Sequence, residues 1–299
     1  MFEFFQALTD PDTVFLRCAL ATGILASIAC GVVGSYVVVR RITYLAGGIA
    51  HCVFGGLGAA YYLERVHGWQ VWLPGSGWQP LHPLHGALVA ALLAAVIIGL
   101  VSLRARQRED TVISALWAIG MATGVVFVYA TPGYGQDLMS YLFGSMLLVS
   151  PGEVGMIAIL DVVVVGVALL FYKQFLAVCF DEEYARLRGL NVEFYYLLLL
   201  CLTALTVVLL VGVVGIVMVI ALFTLPVAIA GHFTRTLWQM MMLAALLSVL
   251  FTTSGLAISY PLEWQPGATT IILAGATYLL VLIGARLARR TAIGVGKTG

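Results

Sequence analysis

The sequence predicts an all-α polytopic membrane protein, a bundle of transmembrane helices with little material outside the bilayer. Of its 299 residues, 62% are hydrophobic and only 10% are charged, and the mean hydropathy is +1.05. Soluble domains carry roughly 25% charged residues. The apolar runs are about 20 residues long and lack strict alternation, which favours membrane helices over the strands of a barrel. We expect residues 1–299 to form one transmembrane domain.

Nine apolar segments are long enough to cross a membrane. The sixth and seventh are separated only by residues 212–215, which either kink one long helix or reverse the chain. A kink leaves eight spans and a reversal gives nine. The predicted segments are Thr13–Val39, Thr43–Leu63, Pro83–Leu103, Thr111–Ala130, Val154–Leu176, Phe194–Val211, Val213–Ala230, Leu237–Tyr260 and Ala268–Ala288.

Basic residues orient these spans, because cytoplasmic loops of membrane proteins carry an excess of Lys and Arg. With nine spans, and with Arg40 and Arg41 in the cytoplasm, 13 of the 15 basic residues lie inside and only Arg17 and Arg65 lie outside. Eight spans would move the last basic cluster outside. We therefore expect nine crossings, with the N-terminus outside and the C-terminus inside.

Two outer segments interrupt the spans. Residues 64–82 contain Trp69, Trp72 and Trp78, whose rings suit the membrane–water interface. Residues 131–152 have an apolar centre that is too short to span a bilayer. We expect an interfacial or re-entrant helix at that centre, residues 138–149.

Several other functions and features find no support in the sequence. A net charge of +1 offers no case for nucleic acid, and the chain has no GxxxxGK[ST] motif, so ATP hydrolysis would need another subunit. Its five cysteines are scattered singly, as small buried hydrophobic residues are. The N-terminus lacks a basic region and a small-residue cleavage site, so we expect no signal peptide.

The stretch between the fifth and sixth spans, FDEEYARLRGLNVEF, predicts a short helix at about residues 180–190 on the cytoplasmic face. Its acidic run begins at Asp181 and suits the N-terminus of a helix dipole, while Arg186 and Arg188 suit the C-terminus. Gly189 is a typical stop signal. On spacing alone, an ordinary connecting helix is the alternative.

The pattern Phe-Asp-x-x-x-Ala-x-x-x-Gly in this stretch resembles the coupling helix of the metal-importing ABC permeases. Four further segments resemble motifs of that family in the same order, and together the five motifs are specific. They are SYVVVRRITYLAGGIAHCVFGGLGAA (Ser35 to Ala60), DLMSYLFGSMLLVS (Asp137 to Ser150), VGVVGIVMVIALFTLPVAIA (Val211 to Ala230) and GLAISYPLEWQPGATTIIL (Gly255 to Leu273).

The resemblance implies a permease subunit of the cell membrane that imports Zn²⁺, Mn²⁺ or Fe²⁺ and is not itself an enzyme. It implies a homodimer or heterodimer of permeases, and an extracytoplasmic binding protein that delivers the metal. No cofactor would be bound permanently. A cytoplasmic ATP-binding subunit would dock on the short helix, at Asp181, Glu182, Ala185, Arg186 and Gly189.

His51 is the first candidate metal ligand, because an ionisable group within a membrane is costly and needs a reason. Gly47, His51 and Gly55 are spaced four apart, which indicates a closely packed or cavity-lining face. A hydrogen bond from the ring to a backbone carbonyl is the alternative role. The resembled family often has Asp four residues before this His. Gly47 removes that pair and counts against Mn²⁺, which favours carboxylates.

Other ionisable residues are further candidates. Asp161 is the only carboxylate deep within a predicted span, and His232 follows Pro226 near the inner exit. Asp161 could line the metal path, or pair with a Tyr or Ser on another helix, and His232 could be a ligand or an ordinary interfacial residue. At the outer mouth, His82 and His85 could collect metal and Asp137 could contact a binding protein, although solvated loop residues are the default.

Three other functions compete with metal import by an ABC permease. An ion-coupled secondary transporter could use Asp161 and His51, although no internal repeat is visible. An iron–siderophore or cobalamin-type ABC permease would share the coupling chemistry, but the shorter chain and the Leu-Thr-Leu-Pro segment count against it. A hydrolase built on Gly75-Ser76-Gly77 lacks an oriented base at a definable spacing.

Overall fold

The structure, a computed structural model, describes residues 4, 7, 8, 10, 13–73, 77–104, 109–132, 144 and 149–295. Within them lie eleven helices and one two-stranded hairpin. The helices are α1 (Val14–Val39), α2 (Thr43–His67), α3 (Pro83–Arg104), α4 (Glu109–Ala130), α5 (Pro151–Leu170), α6 (Tyr172–Phe180), α7 (Glu182–Leu187), α8 (Val192–Val214), α9 (Ile216–Phe233), α10 (Leu237–Leu262) and α11 (Pro266–Val295). The strands are β1 (Gln70–Leu73) and β2 (Gly77–Pro80).

Nine of the described helices, all except α6 and α7, are long and apolar enough to cross a membrane. They pack as two groups. One group holds α2, α3 and α4, and the other holds α1, α5, α9, α10 and α11. The helix α8 packs against both groups, with α3 on one side and α1 on the other, and α9 also contacts α2. The multi-pass membrane protein expected from composition is therefore confirmed.

Glycines on α2 allow the first group to pack closely. A Cβ atom added at Gly56 would lie 2.2 Å from the carbonyl oxygen of Gly86 on α3, and one added at Gly55 would lie 2.8 Å from that of Gly120 on α4. Small residues let membrane helices approach backbone to backbone. On the predicted His51 face, Gly55 is therefore closely packed.

The chain reverses direction at Gly215, which alone separates α8 from α9. The first turn of α8 lies near Arg40, whose guanidinium sits over the Tyr196 ring. The last turns of α9 lie at the same end of the bundle, where Val227 and Ala230 pack in a cluster with Val38 and Val39. Two helices that begin and end at one end must run in opposite directions, so the break is a reversal and not a kink.

Gly215 has φ +85° and ψ 156°, a backbone conformation that is essentially restricted to glycine. At this junction, Gly144 of the outer segment packs directly against Val214 and Gly215. The Nε2 atom of Gln265, between α10 and α11, donates a hydrogen bond of 3.1 Å to the carbonyl oxygen of Gly144. These three segments therefore meet at the end of the bundle opposite Arg40, as nine alternating spans require.

The fifth predicted span ends earlier in the structure than expected. It begins at Pro151 after a capping box, in which Ser150 and Glu153 each accept a hydrogen bond from the other's backbone N–H. It ends at Leu170, because Phe171 leaves helical geometry with φ −96° and ψ 21°. Residues 172–176, predicted as part of the span, belong instead to the separate helix α6.

The sequence did not predict the β1–β2 hairpin in the first outer segment. Trp72 lies opposite Trp78 across its strands, and both rings are exposed, as is Trp69. The predicted interfacial helix at residues 138–149 lies mostly outside the described residues, of which it includes only Gly144 and Val149.

Candidate functional site

The short helix α7 begins where the sequence predicts. Asp181 is its N-cap, and its Oδ1 atom accepts a hydrogen bond of 2.9 Å from the backbone N–H of Tyr184. Glu182 and Glu183 occupy the first turn, where negative charge is favoured by the helix dipole. The helix is therefore capped from within its own sequence.

The C-terminus of α7 closes through Gly189. The backbone N–H of Leu190 donates to the carbonyl of Ala185 at 3.1 Å, and that of Gly189 donates to the carbonyl of Arg186 at 2.9 Å. This pair of bonds is a Schellman motif, which needs a left-handed residue, and Gly189 has φ +77°. The stop signal in the sequence thus corresponds to an observed backbone turn.

The two faces of α7 differ sharply. Ala185 is fully buried, whereas Leu187 is 88% exposed and Tyr184 is 47% exposed. Residues three apart share one face of a helix, so Tyr184 and Leu187 form an exposed apolar patch, flanked by the exposed Arg186. The patch could not be predicted from the sequence, because the exposure of an apolar residue cannot be read from one turn of helix.

Glu182 faces the bundle and not the solvent side of α7. Its carboxylate forms an ion pair with Arg40 at the end of α1. Of the five residues predicted to couple to an ATPase, Ala185 and Glu182 therefore hold the helix onto the bundle. Asp181, Arg186 and Gly189 lie at its exposed ends and surface.

His51 is buried on α2, with 8% of its surface exposed. Its Nδ1 atom lies 2.8 Å from the carbonyl oxygen of Gly47, and its ring lies 4.7 Å from that of Trp117 on α4. A carbonyl can only accept, so Nδ1 is the donor and Nε2 carries the lone pair of the neutral ring. Metal-binding histidines commonly donate their other nitrogen in this way, so the observed bond is compatible with both predicted roles.

The position of Gly47 has room for a Cβ atom. A Cβ atom added there would lie 3.6 Å from Ile220 Cδ1 and 3.7 Å from Trp117 Cζ3, which is ordinary van der Waals contact. The missing carboxylate is therefore not excluded by packing. In this chain, His51 has only a backbone carbonyl at the position one turn before it.

Asp161 is buried on α5, with 7% of its surface exposed. It lies on the buried stripe of α5 with Ile157, Val164 and Ala168, and α5 packs against α1. His51 instead faces α4. Asp161 and His51 thus belong to different helix groups.

The remaining candidates are also separate. His232 is exposed near the C-terminal end of α9, and its Nδ1 lies 2.8 Å from the carbonyl oxygen of Ala228. His82 and His85 lie at the start of α3 with ring centroids 6.2 Å apart, where His82 Nδ1 accepts from the backbone N–H of Leu84. Asp137 lies outside the described residues.

Within the described part of the chain, no three His, Cys, Asp or Glu side chains come together in a group that could hold a metal ion. Among these residues, His51 is therefore not part of such a group.

Comparison with known proteins places these features in context. The model of the ABC 3 transport family matches residues 12–285. A probable metal transport system membrane protein of Chlamydia trachomatis is 38% identical over 273 residues, 91% of this chain and 89% of the relative. The manganese transport system membrane protein MntC of Listeria monocytogenes is 29% identical over 269 residues, 90% of each chain.

A solved structure is also similar to this chain. It is that of PsaBC from Streptococcus pneumoniae in complex with Fab. The matched chain has a TM-score of 0.79 and 27% sequence identity, and the match covers 93% of this chain and 94% of that one. The family match and the structural match thus each cover almost the whole chain.

Proposed function

Because the chain belongs to the ABC 3 transport family, we propose that it is the membrane-spanning permease subunit of an ATP-driven importer. Its cargo is a divalent transition metal ion, Zn²⁺, Mn²⁺ or Fe²⁺, which it passes into the cytoplasm. The observation that carries this proposal is α7, a self-capped helix held against the bundle with an exposed apolar patch.

The proposed role of α7 is to dock a cytoplasmic ATP-binding subunit. Tyr184 and Leu187 supply the apolar contact, and Arg186 and Arg188 supply charge at its edge. Most of the basic residues lie on the same side in the predicted topology, which supports a cytoplasmic position. Since the chain carries no nucleotide-binding motif of its own, the energy of ATP would enter here.

Two further partners belong to this proposal. An extracytoplasmic metal-binding protein would deliver cargo at the opposite end, where Gly144, Gly215 and Gln265 meet. A second permease would complete the path, and three helices support this, because α4, α5 and α11 bury little of their surface within the bundle. The second chain could be an identical copy or a related one.

The proposed metal contact is Nε2 of His51. Imidazole suits Zn²⁺ and Fe²⁺, whereas Mn²⁺ favours carboxylate oxygens. The position one turn before His51 holds Gly47 instead of an acid. This chemistry favours Zn²⁺ or Fe²⁺ as cargo, although a relative is named for manganese.

Reconstitution tests the proposal. The chain would be placed in liposomes with its ATP-binding subunit and binding protein, and uptake of Zn²⁺, Mn²⁺ and Fe²⁺ would be measured with and without ATP. We expect ATP-dependent uptake of at least one metal. Uptake by this chain alone, driven by an ion gradient without ATP, would instead identify a secondary transporter and reject the proposal.

A matched pair of variants tests the docking surface. Leu187→Asp places a charge in the exposed patch of α7 and should abolish co-purification of the ATP-binding subunit. Leu262→Asp makes the same change at an exposed residue of the opposite end of the bundle and should leave co-purification unchanged. Equal behaviour of the two variants would contradict docking on α7.

A further inference from the structure

Arg40 occupies a joint between four helices at the cytoplasmic end of the bundle. It is the residue that ends α1, and its side chain is only 18% exposed. Its Nη2 atom pairs with Glu182 on α7, and its Nη1 atom donates a hydrogen bond of 3.0 Å to the carbonyl oxygen of Val178 on α6. Its guanidinium carbon lies 5.0 Å from the centre of the Tyr196 ring on α8.

Each of these contacts uses a property of arginine. Val178 is in the last turn of α6, whose carbonyl groups have no partner within the helix and attract positive charge. Glu182 is in the first turn of α7. A planar guanidinium can donate to both groups and still stack on an aromatic ring, which the ammonium group of lysine cannot do. One side chain thus fixes the corner between α6 and α7 against α1 and α8.

The backbone at the end of α1 directs this side chain inward. Ile42 N–H donates to the carbonyl of Val37, and Arg41 N–H donates to that of Val38, so α1 also ends in a Schellman motif. Arg41 takes the left-handed position, with φ +64°, and is exposed. The two adjacent arginines therefore have different environments, and only Arg40 reaches α7.

The contacts of Arg40 involve neither the caps of α7 nor its exposed apolar patch. The caps of α7 are Asp181 and Gly189, and neither involves Arg40. Glu182 lies on the same face as the buried Ala185, whereas the exposed patch of Tyr184 and Leu187 lies on the other face. Loss of Arg40 would therefore leave the caps and the exposed patch of α7 intact.

We propose that Arg40 is the positioning residue that transmits movement of α7 to the membrane-spanning helices. This inference rests on the proposed function. The helix α1 belongs to one helix group, and α8 packs against both. When the ATP-binding subunit displaces α7, the displacement is thus transmitted to both helix groups through the contacts of Glu182, Arg40 and Tyr196.

The test uses the reconstituted complex and measures ATP hydrolysed per metal ion transported. Arg40→Gln should raise this ratio about tenfold, the scale of an ordinary coupling free energy, with the ATP-binding subunit still bound. Glu182→Gln should raise it in the same direction. Arg235→Gln is the matched control, because Arg235 is exposed at the same end of the bundle, and it should leave the ratio unchanged.

Each other outcome overturns the inference. An unchanged ratio in Arg40→Gln would show that the joint does not transmit movement. Loss of the ATP-binding subunit from both Arg40→Gln and Glu182→Gln, or failure of both to assemble, would give Arg40 a docking or structural role. If the wild-type complex shows no ATP-driven uptake, the proposed function fails as well, and this result is distinct from a failure confined to the variants.

Discussion

The imidazole of His51 is tied to the carbonyl group of Gly47, one helical turn earlier on α2, by a bond of 2.8 Å from Nδ1. The bond fixes the ring orientation and assigns the lone pair to Nε2. Trp117 lies against the ring at 4.7 Å and limits its movement. His51 is therefore a preoriented imidazole with no acid one turn before it, and we propose it as a ligand of the transported metal.

Replacing His51 tests whether its imidazole binds the transported metal. We expect His51→Ala to lower ATP-dependent metal uptake by about tenfold or more, a loss comparable to removing a group that tunes a metal site. The complex should still assemble, because the ring contributes one of many contacts on α2. Uptake of radioactive or fluorescent metal into liposomes measures the effect.

His232 provides the matched control for His51. It makes the same kind of bond, from Nδ1 to the carbonyl four residues earlier, but it is exposed near the end of α9. We expect His232→Ala to transport metal at the wild-type rate. Normal uptake by His51→Ala would exclude His51 as the ligand, and a loss in His232→Ala would support His232 as a second metal contact.

A carboxylate in place of Gly47 should change which metal the transporter prefers. In Gly47→Asp, the new Cβ atom would lie 3.6 Å or more from its neighbours, so the substitution begins without a steric clash. It would place a carboxylate one turn from His51, and carboxylates favour Mn²⁺. We expect the ratio of Mn²⁺ to Zn²⁺ uptake to rise by about tenfold, the effect of a 1.4 kcal/mol difference in binding free energy.

Gly55 is the control for this substitution, since it lies one turn on the other side of His51. A Cβ atom there would lie 2.8 Å from the backbone oxygen of Gly120. Gly55→Asp should therefore disrupt packing of α2 on α4 and reduce the yield of assembled protein. An unchanged metal ratio in a well-assembled Gly47→Asp variant would show that position 47 does not set selectivity.

Local features of the sequence predicted the structure well. Asp181 and Gly189 cap α7 because the groups that bond to them lie within five residues, so spacing alone predicts both ends. The glycine face around His51 follows from helical periodicity. The nine spans follow from hydropathy, because each needs only its own length and composition.

Contacts between distant segments could not be predicted from the sequence. Arg40 and Glu182 are 142 residues apart, and nothing local distinguishes Arg40 from Arg41. Trp117 meets His51 only because α2 and α4 pack together through Gly55 and Gly120. The separation of Asp161 from His51 depends in the same way on helix packing, which a hydropathy profile does not contain.

The turn at Gly189 should be required for tight binding of the ATP-binding subunit. Its φ of +77° costs about 1–2 kcal/mol for any residue with a Cβ atom, while no atom lies close enough for a steric clash. We expect Gly189→Ala to shift the end of α7 and to weaken binding of the ATP-binding subunit, measured by titration of the purified subunit.

Gly68 supplies a control with the same backbone requirement. It ends α2 with φ +64°, also with open space around it, at the predicted outer end of the bundle. Gly68→Ala should lose a similar amount of stability but bind the ATP-binding subunit normally. If the two variants bind the ATP-binding subunit equally well, the turn at Gly189 has no special role in that binding.

The reversal at Gly215 predicts which loops face each side of the membrane. Single cysteines would be introduced as Arg65→Cys, Arg188→Cys, Arg235→Cys and Glu263→Cys and labelled with a membrane-impermeant thiol reagent. With nine alternating spans, residues 65 and 263 are labelled on intact cells, and residues 188 and 235 only after permeabilisation. A kink at Gly215 would exchange the behaviour of residues 235 and 263, because the chain would cross once fewer before them.

The native cysteines should give little background in this experiment. Cys18, Cys30, Cys52 and Cys179 are buried, and Cys201 lies within the span α8, where a charged reagent does not enter. Burial raises the pKa of the Cys179 thiol to about 12, although the nearby Arg40 guanidinium acts in the opposite direction. At pH 7–8 Cys179 is therefore protonated, and since the thiolate is the reactive form, labelling will report the introduced residues.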